Sequence, residues 1–387
     1  MKILMFTSRF GFGYGMGYSA YKEASALVSL GHSVTMVHCY SNREMVSFYD
    51  PRITFIYSQI NQAPLIGFLI YFFKLKKLIN TKITIKDFDV VYIQSLEFGL
   101  LDLATVKIPI FYFARSTMRG MQQALQNENV KISLFSRVVN LVLVALEQRC
   151  MDYSKNIFVK SHKMAREVSN LYGVNFNKLA VISGGIDDKE FSIQSEASIV
   201  EFKHKFMIPT GVPIMLYAGR IVPQKGLEYL TKACLDLLKE INFIVVIAGA
   251  NSNKSYYTKI KYLLNNSTHQ KSFHFIGHID QLNMSAVLNL ADCLVTPSFY
   301  EPFGMVNLQA AFLNKKIITT EATGSVEILA NYGEIKIVRA KSSADIELAL
   351  REVLSWKNKK NQTAIDFKMY SWQTVAEYLV RFFSAAV

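Results

Sequence analysis

Cysteine is scarce and scattered: four are present, Cys39, Cys150, Cys234 and Cys293, and none falls in a CxxC pair. This excludes a disulfide framework and points to a reduced, cytoplasmic chain whose cysteines act as small apolar side chains. Long apolar runs are missing as well. The longest, around APLIGFLIYFF, falls short of the roughly 20 residues that span a bilayer. The opening MKILMFTSRFGFGYG has no sustained apolar segment before its glycines, so a secretory signal is not expected. Histidines are dispersed; His274 and His278 lie in FHFIGHID, a strand-and-turn pattern rather than one helix face, so no metal site is expected. There is no low-complexity tract and no short-period repeat.

What is present is a well-packed globular composition, 51% hydrophobic and 19% charged, over 387 residues. That length exceeds one ordinary core, so two domains of roughly 150–200 residues are expected. The net charge of +13 calls for an anionic partner: nucleic acid, a phospholipid surface or a phosphorylated substrate. A basic balance is also common background in Lys- and Asn-rich chains, so charge alone names a class of partner.

KILMFTS reads as a short apolar strand, followed by glycines at 11, 13, 15 and 17 and a helix through SAYKEASALVSLG; HSVTMVHCY makes the next strand. This βαβ unit calls for a parallel sheet. RITFIYS, DVVYIQS, IPIFYFA and KNIFVKS continue the series, and PIMLYAG, NFIVVIAG, SFHFIG, DCLVTPS and KKIITTE form a second one after Pro209. The polar stretch 187–208 reads as a linker. The expected class is α/β: two facing, Rossmann-like, doubly wound domains.

Within the glycine region, GMGYSA (15–20) fits the dinucleotide pattern G-x-G-x-x-A after a first strand, which raises an NAD-dependent oxidoreductase. Such a fold needs an acid at the end of its second strand. Here that end reads Val37, His38, Cys39, Tyr40, and the first acid is Glu44, so the nicotinamide reading lacks its anchor. The physics of glycine remains: the backbone can approach a ligand, and the following helix offers N–H groups to a phosphate. A turn with no ligand is the plain alternative.

In the second series, YAGRIVPQKG sets Arg220 just past a strand, with Lys225 beside Gly226 at a helix mouth. A guanidinium fork and a point charge at that place suit a phosphate-bearing ligand; solvated surface cations are the plain alternative. ISGGIDDKEF, GR…KG, ADCLVTPSFYEPFG and TG..E follow one another in an order and spacing that resembles the retaining glycosyltransferase family 4, whose members have the GT-B fold. The resemblance spans nearly the whole chain. It implies an N-terminal acceptor-binding domain (1–186), a linker (187–208), a nucleotide-sugar domain (209–366) and a C-terminal helix (367–387) crossing back to the first domain.

The resemblance also implies roles. Arg220 and Lys225 would hold the diphosphate of a nucleotide-diphospho sugar and neutralise the charge it gains as the glycosidic bond breaks. Gly13, Gly15 and Gly17 would offer backbone N–H groups to the distal phosphate. Glu301, first acid of the family's E-x7-E motif, would accept bonds from sugar hydroxyls, with the turn at Pro302, Phe303 and Gly304, and the residues after it, Met305 and Val306, against the sugar and phosphate. Gln309 replaces the second acid and can accept a ribose hydroxyl bond without charge assistance. Ala114 stands where relatives carry a histidine; Arg115 follows it, and its guanidinium is expected among the catalytic groups, beside an acceptor or donor phosphate. Glu327 matches a further family acid, but Ser325 and Val326 replace the residues before it.

The implied activity is transfer of a hexose, with retention and without a metal or other cofactor, to a glycan or lipid-linked glycan in bacterial surface polysaccharide synthesis. Nucleic acid is not among the expected partners. A non-catalytic sugar-nucleotide binder is the alternative that Ala114 and Gln309 raise. APLIGFLIYFFKLKKLI, with Lys74, Lys76 and Lys77, reads either as a core helix or as a helix on an anionic leaflet. The net charge favours the second reading, peripheral at the cytoplasmic face of the inner membrane.

Overall fold

The computed structural model describes residues 1–9, 15–40, 49–57, 76–79, 81, 83–126, 134–187, 190–355 and 365–387. The chain divides into two compact units: one combines Met1–Gly185 with Lys368–Val387, and the other is Ile186–Phe367.

The first unit is built on a parallel sheet of strands β1 (Lys2–Arg9), β2 (Ser33–Tyr40), β3 (Thr54–Tyr57), β4 (Val90–Ile93), β5 (Ile110–Ala114), β6 (Asn156–Val159) and β7 (Leu179–Val181). Their order is β3-β2-β1-β4-β5-β6-β7, so the winding reverses between β1 and β4. β4 and β5 are buried at every position, as a strand must be when helices cover both sheet faces. Ile3 sits in register with Val34 on one side and Val90 on the other.

The helix Trp372–Ser384 covers one face of this sheet, although it comes from the far end of the chain. Ser371 caps it by accepting a bond from Thr374 N at 3.1 Å. Its buried side chains, Trp372, Val375, Ala376, Leu379 and Phe383, recur at helical spacing. Phe383 packs with ring centroids 4.8 Å from Phe111 and 5.5 Å from Tyr92. Full burial of such a ring contributes roughly 1.5–3 kcal/mol. Trp372 lies over Gly185, where an added Cβ would come 2.4 Å from indole Cδ2; only glycine admits the ring.

The second unit repeats the plan with β8 (Ile214–Ala218), β9 (Ile244–Ala248), β10 (Phe273–Gly277), β11 (Cys293–Thr296), β12 (Lys316–Thr320) and β13 (Ile335–Val338), ordered β10-β9-β8-β11-β12-β13 and parallel throughout. The winding reverses between β8 and β11. The stretch 187–208, read from sequence as a linker, carries a helix at Glu196–Lys205.

Eleven of these strands coincide with the apolar runs in the sequence. β7 and β13 do not, and both are edge strands with partly exposed residues, so neither shows a continuous apolar run. The helix after β1 begins earlier than its apolar pattern indicates, at Gly15 rather than Ser19; the Ser19 hydroxyl donates to Gly15 O at 3.0 Å across its first turn. Gly15 and Gly17 are therefore helical rather than loop residues, while Gly13 lies outside the described residues. Glu44, Lys74 and most of the basic aromatic stretch also lie outside them; residues 76–79 are helical, with Lys76 and Lys77 exposed. Among the described residues, no helix is long and apolar enough to cross a membrane.

Candidate functional site

In open parallel sheets, ligands bind beyond the strand carboxyl ends where the winding reverses. In the second unit that place lies between β8 and β11, and two loops meet there. The loop after β8 carries Arg220 and Lys225; the loop after β11 carries Glu301. Lys225 Nζ forms an ion pair with Glu301 Oε2, with 22% and 16% of the two side chains exposed, so both charges remain within reach of a ligand.

Backbone bonds hold the loops together. The Gln224 carbonyl accepts from Phe299 N at 3.0 Å and Tyr300 N at 3.4 Å. Next to it Gly226 has φ +68°, and an added Cβ would fall 1.9 Å from the Pro297 carbonyl oxygen. The close approach and the left-handed backbone both demand glycine there. On the other side, Gly324 N donates to Glu301 O at 3.0 Å and Ser325 N to Phe303 O at 2.6 Å, so the segment after β12 pins the acid-bearing turn. Gly304, at φ +88°, closes the turn; an added Cβ would lie 2.8 Å from Thr323 Cγ2.

Beneath the turn lies a buried polar cluster that sequence reasoning missed. Asn307, fully buried, accepts from the Thr296 hydroxyl at 2.8 Å, and its amide donates to Thr319 Oγ1 at 3.0 Å and Ser325 Oγ at 3.3 Å. The cluster ties together the ends of β11 and β12, the helix Met305–Phe312 and the Ser325 segment. A signal was present: an amide in the first turn of MVNLQAAF, where Gln309 is the one other polar residue. Ser325, read only as a departure beside Glu327, is part of this cluster, and Glu327 opens the four-residue helix Val326–Leu329.

Gly304 precedes the helix Met305–Phe312 without a side-chain cap, so the N–H groups of Met305 and Val306 face out of the helix start, where an anion is favoured. Pro302 is half-buried and Phe303 3% exposed. Gln309 lies on the same helix, 4% exposed. Arg220 is exposed, its carbonyl accepts from the Tyr217 hydroxyl at 2.8 Å, and its guanidinium makes no ion pair among the described residues. Burial pushes the Tyr217 hydroxyl well above its ordinary pKa; Tyr256 and Glu301 add to the shift and Arg220 opposes it. Arg220 and Glu301 thus both act on the Tyr217 hydroxyl.

In the first unit Arg115 is not an open cation. Its Nη2 pairs with Glu23 Oε1 at 2.9 Å and donates to Gln94 Oε1 at 2.8 Å, with 7% of the side chain exposed. Glu23 is fully buried and also accepts from Tyr92 and Gln94 at 2.9 and 2.6 Å. A buried carboxylate needs a partner, and Arg115 is that partner. Nη2 is thus engaged by Glu23 and Gln94, while Nε is buried without a hydrogen-bond partner. Lys160, 5% exposed, is a second charged group that sequence reading missed. Its Nζ has no hydrogen-bond partner, and Nζ and the Arg115 guanidinium carbon each lie 4.6 Å from the Phe113 ring centroid.

Thr7, Gln94, Ser95, Arg115 and Ser116, at or just past the ends of β1, β4 and β5, line a cavity of about 120 Å³ that Glu147 also borders. Glu147, on the helix Leu134–Tyr153, is 1% exposed; its Oε2 accepts from the Tyr172 hydroxyl and from Met118 N at 2.9 Å. Burial pushes its carboxyl up to about 7 against the pull of the Tyr172 bond. Among the described residues, no group of three or more His, Cys, Asp or Glu is arranged to hold a metal ion.

Two family models match consecutive parts of the chain: Glycosyltransferase Family 4 over residues 14–190 and Glycosyl transferases group 1 over residues 198–366. An uncharacterized glycosyltransferase of Methanocaldococcus jannaschii is 27% identical over 63% of this chain and 63% of its own length. The match thus spans less than two thirds of that relative. An N,N'-diacetylbacillosaminyl-diphospho-undecaprenol alpha-1,3-N-acetylgalactosaminyltransferase of Campylobacter jejuni is 24% identical over 76% of this chain and 75% of its own length. Among solved structures, HepE of Anabaena in complex with UDP-glucose aligns over 100% of both chains with a TM-score of 0.76 at 12% identity. The chain belongs to the family 4 glycosyltransferases and has their GT-B fold.

Proposed function

We propose that this protein is a retaining hexosyltransferase that moves a hexose from a nucleotide-diphospho sugar to a glycan or lipid-linked glycan. The observation that carries the reading is the Lys225–Glu301 pair, set beside an uncapped helix start and still partly open to solvent. On this reading the donor diphosphate takes Lys225 away from Glu301, and the freed carboxylate accepts bonds from the sugar hydroxyls. Arg220 adds a bidentate contact, and Met305 and Val306 N–H groups bind the phosphate or sugar. The cations neutralise the leaving diphosphate, the part a metal plays in other transferases, so turnover in a chelator is expected to be unchanged. Gln309 accepts from the ribose. The leaving phosphate accepts the acceptor proton, which needs no histidine at Ala114.

A lipid-linked acceptor is in keeping with the Campylobacter jejuni relative, whose name carries an undecaprenol diphosphate. A UDP-sugar donor is in keeping with the UDP-glucose complex of HepE. Bacterial surface polysaccharide synthesis at the cytoplasmic face of the inner membrane, held there by the basic surface, is the setting we infer. A sugar-nucleotide binder that transfers nothing is the second reading, favoured by buried Ala114 and by Arg115 being tied to Glu23.

A thermal-shift screen against UDP-, GDP- and ADP-sugars and NAD tests the donor site. Stabilisation by a sugar nucleotide is expected; stabilisation by NAD alone refutes the reading. Turnover by the stabilising donor, with product anomeric configuration read by NMR, separates a retaining transferase from a binder.

A further inference from the structure

Lys341, in the loop after β13, has a backbone that suits a different residue. Its φ is +66°, in the left-handed region that glycine enters freely and a lysine enters at a cost. Such strain persists where the surrounding structure fixes it, and it gathers at functional sites.

Three strand ends are laced together here. The Thr320 hydroxyl, at the end of β12, donates to the Ser298 carbonyl beyond β11. Next to it, the two Glu321 carboxylate oxygens accept from Ala340 N at 3.0 and 2.9 Å, and Glu321 N donates to the Val338 carbonyl at 3.1 Å. Ala340 is thus anchored, and from the residue after it Lys341 Nζ reaches to 4.6 Å from the centroid of the Phe299 ring.

Phe299 leads back to the candidate donor site. It is 9% exposed, and a cation over a ring largely out of water is held more firmly than one on an open surface. Its N–H donates to the carbonyl of Gln224, the residue before Lys225, at 3.0 Å, and Glu301 follows two residues on.

On the donor-site reading above, we propose that Lys341 is a positioning residue for Glu301: its ammonium holds the Phe299 ring, and through it the aim of the acid-bearing turn. Lys341 acts through Phe299 and not by touching the donor. Its long-range charge would favour a diphosphate with or without a sugar, so that effect cancels from the difference between the two.

The full chain is titrated calorimetrically with whichever of the UDP-, GDP- and ADP-sugars stabilises it most, and with the matching nucleoside diphosphate. The ratio of the two affinities reads the sugar contacts. Lys341→Met keeps the stem and loses the charge, and is expected to lower that ratio about threefold or more. Lys341→Arg, which also packs over a ring, is expected to restore it. Lys341→Gly suits the backbone but lacks the cation, so its melting temperature should hold or rise while the ratio falls. A merely structural role would not part the two readouts in this way. Phe299→Leu is expected to lower the ratio as Lys341→Met does, and the double variant to lose nothing further. A ratio unmoved by Lys341→Met, or a loss as large in the Phe299→Leu background as in the parent, overturns the assignment and leaves the donor site standing. A parent chain that binds no sugar nucleotide refutes the donor-site reading, and the role of Lys341 falls with it.

Discussion

Lys225 and Glu301 stand 76 residues apart in the chain, yet Nζ of one bonds Oε2 of the other across the loops that leave β8 and β11. The cation is thereby neutralised by the acid that the proposed donor site assigns to the sugar. On the proposed reading, binding a nucleotide sugar exchanges this pair for two new ones, whereas binding a bare nucleoside diphosphate frees Glu301 with nothing to accept from.

This exchange separates the two partners by mutation. Glu301→Gln releases Lys225 to a diphosphate and weakens the bonds to the sugar. Affinity for the bare nucleoside diphosphate is expected to hold or rise, while the sugar's increment falls by about 1.5–3 kcal/mol, the worth of hydrogen bonds to a charged group. Calorimetry with the diphosphate and its sugar conjugate reads both. A variant that still distinguishes them as the parent does removes Glu301 from the sugar site.

Gly226→Ala tests the approach of the two loops. Its Cβ would be forced against the Pro297 carbonyl at 1.9 Å, in a left-handed backbone that disfavours side chains. The loops must part, so donor binding is expected to fall at least about tenfold and stability by roughly 1–3 kcal/mol. Ala at Gly15, where an added Cβ meets nothing within 4 Å, serves as the control and is expected to leave the melting temperature nearly unchanged.

Asn307→Leu removes an amide that bonds the Thr296, Thr319 and Ser325 hydroxyls, of which Thr296 and Thr319 keep their bond to each other at 2.9 Å. Leaving such groups buried and unpaired costs about 1–3 kcal/mol, so the denaturant midpoint should drop with an unchanged slope. Loss of donor binding in native-like samples would show that the cluster also orients the acid-bearing turn.

Lys160 sets a pH dependence. Burial, reinforced by Arg115 and opposed by Glu23, lowers its ammonium from 10.5 to about 7 in the folded chain. As pH falls from above 10.5, the unfolded chain takes up the proton first, so stability is lost progressively until about pH 7, below which both states are charged. Lys160→Met is expected to raise stability at pH 7 by a few kcal/mol, or about 2–4 °C per kcal/mol, and to flatten the dependence between pH 7 and 10. A variant melting at or below the parent at pH 7 would show that Lys160 contributes a favourable contact.

The sheets were largely legible because β4, β5, β8, β9 and β11 are buried along their whole length and read as unbroken apolar runs. Two of the four edges were not, since β7 and β13 carry exposed positions. Within the site, Glu301 and Lys225 stood out through the glycines and the proline around them. At Arg115 the sequence displays a cation but not Glu23, a helix residue 92 positions away that pairs with it. Asn307, Lys160 and Glu147 escaped notice because only packing reveals that each is buried and whether its polar atoms have partners.

The helix Trp372–Ser384 gives the two units different histories during synthesis. The second unit is one continuous stretch and can close as soon as it leaves the ribosome. The first cannot: Phe111 and Tyr92 keep an uncovered aromatic face until Phe383 emerges, after the whole of the second unit has been made. A stop codon just after residue 366 therefore spares the half of the chain in which it lies and strands the half made first, with a sticky sheet face in place of a core.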